Sequence, residues 1–140
     1  MMQLPTEKDM EVFAQSHEIE PNQNTMIAFR TFGKKKSLLS FVMQQDHQSS
    51  YYEERPYKLV VGPDKMVLAS IDGNESFVYY KVQMDDFQVK KKHYKIEVKF
   101  YYEGEVVQFF VMIDGAKEML YSSKHLAYMM QTNWCNYISK

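Results

Sequence analysis

Cysteine is almost missing from this 140-residue chain, where Cys135 stands alone. A lone thiol closes no disulfide within the chain, which points to the reducing cytoplasm rather than to a disulfide-stapled secreted domain. No helper side chain lies near Cys135 in sequence, so it reads as a small residue in a packed helix and not as a nucleophile. Glycine is scarce, at five, and proline scarcer, at four. The sequence holds no Gly-rich phosphate loop, no nucleophile elbow and no dinucleotide fingerprint. Net charge is nearly absent, at −1, which argues against nucleic acid as an electrostatically recruited partner. Long apolar runs are lacking too: Leu38 to Met43 is among the longest, far too short to span a bilayer, so no transmembrane segment is expected. Glu7, Lys8, Asp9 and Glu11 come early with no apolar run behind a basic start, so no signal peptide is expected.

Catalytic signatures are missing in the same way. His17, His47, His93 and His125 are too scattered for the short spacing of a metal site, and there is no CxxC. Asp85–Asp86 and Glu53–Glu54 are adjacent pairs. Neighbours in a strand point to opposite faces, so neither pair forms a shared-proton dyad. The chain reads as a non-enzyme that needs no cofactor.

What is present is an ordinary globular composition, 45% hydrophobic and 25% charged, with an aromatic content of 15% that favours strands. The length suits one domain over 1–140. Thr6 and Asp9 have the spacing of a capping box, and Met10, Phe13, Ala14 and His17 share one face of a helix over about Glu7–His17. The period then changes from 3.6 to 2. Strands are expected at Thr25–Phe32, Ser37–Gln44, Tyr57–Val61, Met66–Ile71, Phe77–Val82, Asp85–Lys91, Tyr94–Tyr102 and Val106–Ile113, with the first two paired as a hairpin across Gly33–Lys35. Gln45–Pro56 reads as the longest polar loop. From Asp114 to Lys140, Ala116, Met119, Leu120, Ser123, Ala127, Met130, Trp134 and Ile138 recur at steps of three and four, the stripe of one long amphipathic helix capped by Asp114. The expected fold is α+β and mostly β: seven or eight antiparallel strands in a bent sandwich or partly open barrel, closed by that helix.

Helix, meander of strands, then a long helix with its tryptophan, Trp134, on the buried face: this order resembles the pleckstrin-homology (PH) superfold, and within it the small bacterial PH-like and GRAM-like domains. The resemblance covers roughly Thr25 to Ile138. It implies a strongly bent seven-stranded sandwich plugged at one corner by the C-terminal helix. It also implies a headgroup-binding role for basic residues around the first hairpin, here Arg30, Lys34, Lys35 and Lys36, which could grip phosphate as point charges. The arginine such domains carry early in the second strand is absent, because Ser37, Leu38 and Leu39 stand there.

Aromatic doublets form the other candidate site. Tyr79–Tyr80 and Tyr101–Tyr102, like Tyr51–Tyr52 and Phe109–Phe110, place one ring inward and one outward when they lie in strands. Outward rings that cluster make a protein interface, and eleven methionines add adaptable apolar surface. Without a catalytic signature, the expected function is a binding module acting through protein–protein contact or self-association. The alternatives are an anionic or phosphoinositide headgroup at the first hairpin and a barrel that carries a small apolar ligand.

Overall fold

A computed structural model of the chain describes residues 4–32, 53–114 and 117–138. The first element, α1 (Glu7–Ser16), starts at the expected capping box. The Thr6 N–H donates to Asp9 Oδ2 at 2.9 Å, and the Asp9 N–H donates back to Thr6 Oγ1 at 3.1 Å. Each bond satisfies a donor that the first helical turn leaves open. These bonds, led by the backbone one from Thr6, hold the exposed Asp9 carboxyl below its ordinary range.

Seven strands follow among the described residues: β1 (Thr25–Phe32), β2 (Glu53–Val61), β3 (Lys65–Ser70), β4 (Ser76–Tyr80), β5 (Met84–Lys92), β6 (Lys95–Tyr102) and β7 (Glu105–Met112). They form one antiparallel sheet in the order β4-β3-β2-β1-β7-β6-β5. The sheet curls, so that Tyr79 of β4 meets Phe100 of β6 at 5.3 Å and Tyr102 at 5.0 Å. Alternation puts Leu59, Val61, Met66, Leu68, Ile96, Val98, Phe100, Phe109 and Val111 into one interior cluster. On the outer side, Met10, Phe13, Ala14 and Ile19 pack on Val60, Val67 and Ala69. Leu59–Val61 of β2 and Met66–Ala69 of β3 are thus buried on both faces, which is why these stretches read as unbroken apolar runs rather than alternating ones.

The expected strand Ser37–Gln44, and with it the expected first hairpin, lies outside the described residues. β1 pairs along its whole length with β2, from Thr25 opposite Val60 to Phe32 opposite Glu53. The polar stretch ending at Pro56 therefore gives its last residues to β2. The two strands expected over 77–91 are present as β4 and β5, separated by a 3-10 turn at Lys81–Gln83.

The C-terminal segment departs most from expectation. A single 3-10 turn (Lys117–Met119) leads into α2 (Leu120–Gln131), and the helix ends there. Asp114 does not cap it: the residue before α2 is Met119, which makes no side-chain cap. The buried face of α2 is Ser122, His125, Leu126 and Met129, while Leu120 and Met130, assigned to the buried stripe above, are exposed at 52% and 42%. Asn133, Trp134, Cys135 and Asn136 then all adopt positive φ, between 53° and 70°, in a left-handed turn α3 (Asn133–Asn136).

The reason is geometric. At 100° per residue, a helix continued past Gln131 would carry Trp134 about 140° away from Met129 and into solvent. Reversing the hand brings the ring inward, where it is fully buried. Left-handed backbone costs roughly 1–2 kcal/mol per residue outside glycine, and somewhat less for asparagine. Thr132 supports the turn, its Oγ1 accepting from the Cys135 N–H at 3.2 Å. Asn136 is the exposed member, with φ of 70°. Asn136→Gly should therefore raise stability by up to about 1 kcal/mol, and Asn136→Val should lower it by at least as much. Paired urea titrations of the two variants test the turn, because the same sign for both would contradict it.

Candidate interaction surfaces

β1 meets β7 only at Ala28–Arg30. Beyond Ala28 the two strands part, and α2 takes the vacated edge of β1. The Ile27 N–H donates to Ser122 Oγ at 3.0 Å, and His125 Nδ1 lies 2.7 Å from the Thr25 carbonyl oxygen. Two polar side chains one helical turn apart thus replace a strand, and they answer backbone groups that burial would otherwise leave unpaired. His125 Nε2 lies 3.3 Å from Glu7 Oε2, which ties α1 to the same seam. These buried polar residues serve the fold, and this geometry gives no ground for a catalytic reading.

His17 lies apart from it, and His47 lies outside the described residues. His17 stacks edge-on to Phe13 at 5.1 Å, at the rim of α1 as its helical face suggested. Burial, with Lys65 and Lys58 beside it, holds its pKa below the ordinary value of 6.5. The unfolded chain then takes up the proton more readily, so stability falls as pH drops through about 6.5 and levels off below the folded pKa. His17→Gln should flatten that part of a stability–pH curve measured by chemical denaturation between pH 5 and 7.5, while an unchanged slope would assign it to other groups. Burial likewise pushes the Cys135 thiol up, opposite to what a nucleophile needs.

Of the basic first-hairpin set, only Arg30 lies within the described residues; Lys34, Lys35 and Lys36 lie outside them. The Arg30 guanidinium stands 4.9 Å over the Phe77 ring and donates from Nη1 to Tyr79 Oη at 3.4 Å. The aromatic candidates separate into two kinds. Tyr79 is buried, and Tyr102 joins the interior against it while its hydroxyl receives the Tyr80 N–H at 3.1 Å and donates to Gln83 Oε1 at 2.7 Å. Tyr80 is 47% exposed, and Tyr101 is half-buried with Lys99 Nζ 5.9 Å from its ring. The outward pair sits on β4 and β6, which are separated in the sheet by four strands. Tyr79 is thus corrected to an interior residue, while Tyr101 and Tyr102 are both half-buried and Tyr80 is exposed. Phe109 and Phe110 are both buried, Phe110 stacking on Phe29 at 5.4 Å.

The interior that an apolar ligand would need is filled. Tyr57, Phe100, Phe109, Met66, Met129 and Trp134 are fully or almost fully buried in it. Phe87 of β5 contacts Tyr137 at 5.5 Å and Trp134 at 6.4 Å, and the Tyr137 hydroxyl donates to the Gly62 carbonyl at 2.9 Å. The C-terminal turn therefore plugs the barrel between β5 and the β2–β3 turn. Gly62 itself is confined, since a Cβ there would lie 3.1 Å from Ile19.

No family model matches the chain, and no curated protein is similar to it. Among the described residues, three surfaces are open to a partner. The first is the pair of sheet ends, β4 and β5, with Tyr80 and the 88%-exposed Val82 at their junction. The second is the tip of the β5–β6 hairpin, where Lys90, Lys91, Lys92 and His93 are exposed beside a 59%-exposed Tyr94. The third is an open cleft of about 1190 Å³ between the 18–24 linker, the β2–β3 turn and the C-terminal turn, rimmed by Glu18, Glu20 and Asp64. The lysine run is visible in the sequence. The cleft is not, because its walls lie more than a hundred residues apart in the chain. Asparagine at both ends of the left-handed turn, Asn133 and Asn136, is the one local hint of that wall. No helix of the described residues is long and apolar enough to cross a membrane.

Proposed function

We propose that this protein is a non-enzymatic binding module of PH-like fold that works by protein–protein contact, including contact between its own copies. The meander order with its break between β4 and β5, and the C-terminal segment plugging the interior, support the PH-like part. One observation carries the functional part: among the described residues the sheet ends on two strands without an outer neighbour, and Val82 and Tyr80 stand exposed where they meet. An unpaired edge offers a row of backbone donors and acceptors to an added strand, and exposed apolar side chains beside it supply contact area.

Light scattering after size exclusion, with mass-spectrometric capture from native lysate, tests the reading. A defined oligomer or a stoichiometric protein partner is expected, weakened by the Val82→Glu, Tyr80→Asp double variant. A strict monomer that retains no protein would overturn it.

A further inference from the structure

The β5–β6 hairpin tip and the cleft are complementary in charge and do not meet within one molecule. Lys90, Lys91, Lys92 and Lys95 fall in six residues with no acid among them. Glu97 engages Lys92 at 3.4 Å and Lys95 at 3.9 Å, while Lys90 and Lys91 are exposed and make no ion pair among the described residues. The cleft rim carries Glu18, Glu20 and Asp64, all exposed and likewise without an ion pair there. Beneath the rim, Ile19, Pro21 and Pro63 give apolar floor, and Asn22 and Asn133 give amides.

The two surfaces lie at opposite ends of α2. The Tyr94 carbonyl accepts from the Ile113 N–H at 2.8 Å, so the hairpin tip is fixed beside the end of β7, where Ser123 of α2 also reaches the Met112 carbonyl. Tyr128, Gln131 and Thr132, from the far end of α2, line the cleft. From Ser123 to Gln131 the helix rises roughly 12 Å. The docked α2 thus holds the tip apart from its own cleft.

We propose that the occupant of the cleft is the β5–β6 hairpin tip of a second copy of this chain. Lys90 and Lys91 would answer the Glu18, Glu20 and Asp64 rim, and Tyr94 would lie on the proline and isoleucine floor. The proposal rests on the protein-contact reading above and names its partner. Net charge near zero favours the contact, because attraction between unlike patches is not opposed by whole-molecule repulsion.

Swapped charges test it. Wild-type protein is expected to self-associate in low salt, with the dissociation constant rising at least tenfold between about 0.05 and 0.5 M salt as screening shortens. The Lys90→Glu, Lys91→Glu variant should be monomeric, and so should the Glu18→Lys, Glu20→Lys variant. Mixing the two should restore association as a 1:1 complex, because the intact hairpin of the cleft variant meets the intact cleft of the hairpin variant, and the reversed hairpin can also meet the reversed cleft. Circular dichroism melts check that both variants fold, and a variant that does not is replaced by the neutral Gln pair at the same positions. A monomer at every concentration up to about 1 mM, or a mixture that stays monomeric, overturns the proposal. Association indifferent to salt and to both reversals also overturns it, yet leaves the strand-edge reading standing.

Discussion

Trp134→Ala is expected to cost about 3–5 kcal/mol, the range for truncating a large aromatic side chain in a core. The ring is fully buried, packs against Phe87 at 6.4 Å and points Nε1–H at Met130 Sδ at 3.3 Å. Its removal leaves a void where the C-terminal turn plugs the barrel, and it also removes the reason for the reversed hand of residues 133–136. A turn freed to relax would carry Tyr137 away from the Gly62 carbonyl, so the void and the loss of the hydrogen bond should arrive together. Urea unfolding with the slope held near the wild-type value checks the magnitude. A loss below roughly 1 kcal/mol would place the ring outside the core. Trp134→Phe should recover part of the deficit.

Asn24→Ala carries the second large effect, about 2–4 kcal/mol. Asn24 is 5% exposed, and its side chain makes three bonds. Nδ2 donates to the Val61 carbonyl at 2.9 Å and to the Glu20 carbonyl at 3.1 Å, and Oδ1 accepts from the Asn22 N–H at 2.8 Å. One amide thus clasps the linker between α1 and β1 to the end of β2, beside the Val61 N–H that donates to the Asn24 carbonyl at 3.0 Å. Alanine leaves buried polar backbone without partners, the costly half of hydrogen-bond energetics. Thermal unfolding gives the size. Hydrogen exchange should show α1 and the linker opening before the sheet, and uniform opening would reassign the clasp to the global fold.

The β elements were legible where a single rule governs them. Tyr94–Tyr102 alternates, and Ile96, Val98 and Phe100 do face inward. Thr6 and Asp9 announce α1 because a capping box is local. The pairing of β1 with β2 was not legible, because local turn signals describe only their neighbours, whereas β2 begins at Glu53. The C-terminal helix misled through its most conspicuous residue. Anchoring the stripe on Trp134 selected the face opposite the buried one, because the reversal of hand between Thr132 and Tyr137 leaves no trace in a periodicity of three and four. Ser122 and His125 on the true face are polar, so hydrophobic pattern alone could not find them; only the parting of β1 from β7 explains why polar side chains are wanted there. Of the candidate sites, the lysine run and the tyrosine doublets were readable as types, but which rings point inward depends on the curl of the sheet.

The seam between β1 and α2 bears on the order in which the chain can be completed. Its two hydrogen bonds join residues 95 and 100 positions apart. Contacts so distant in sequence form late, after the entropy of a long loop has been overcome. A nascent chain emerging from the ribosome can assemble α1 and the β2–β3–β4 meander early, but the upper edge of β1 stays bare until α2 has been synthesised. During that interval the bare edge is the natural target for a chaperone or for a neighbouring chain on the same message.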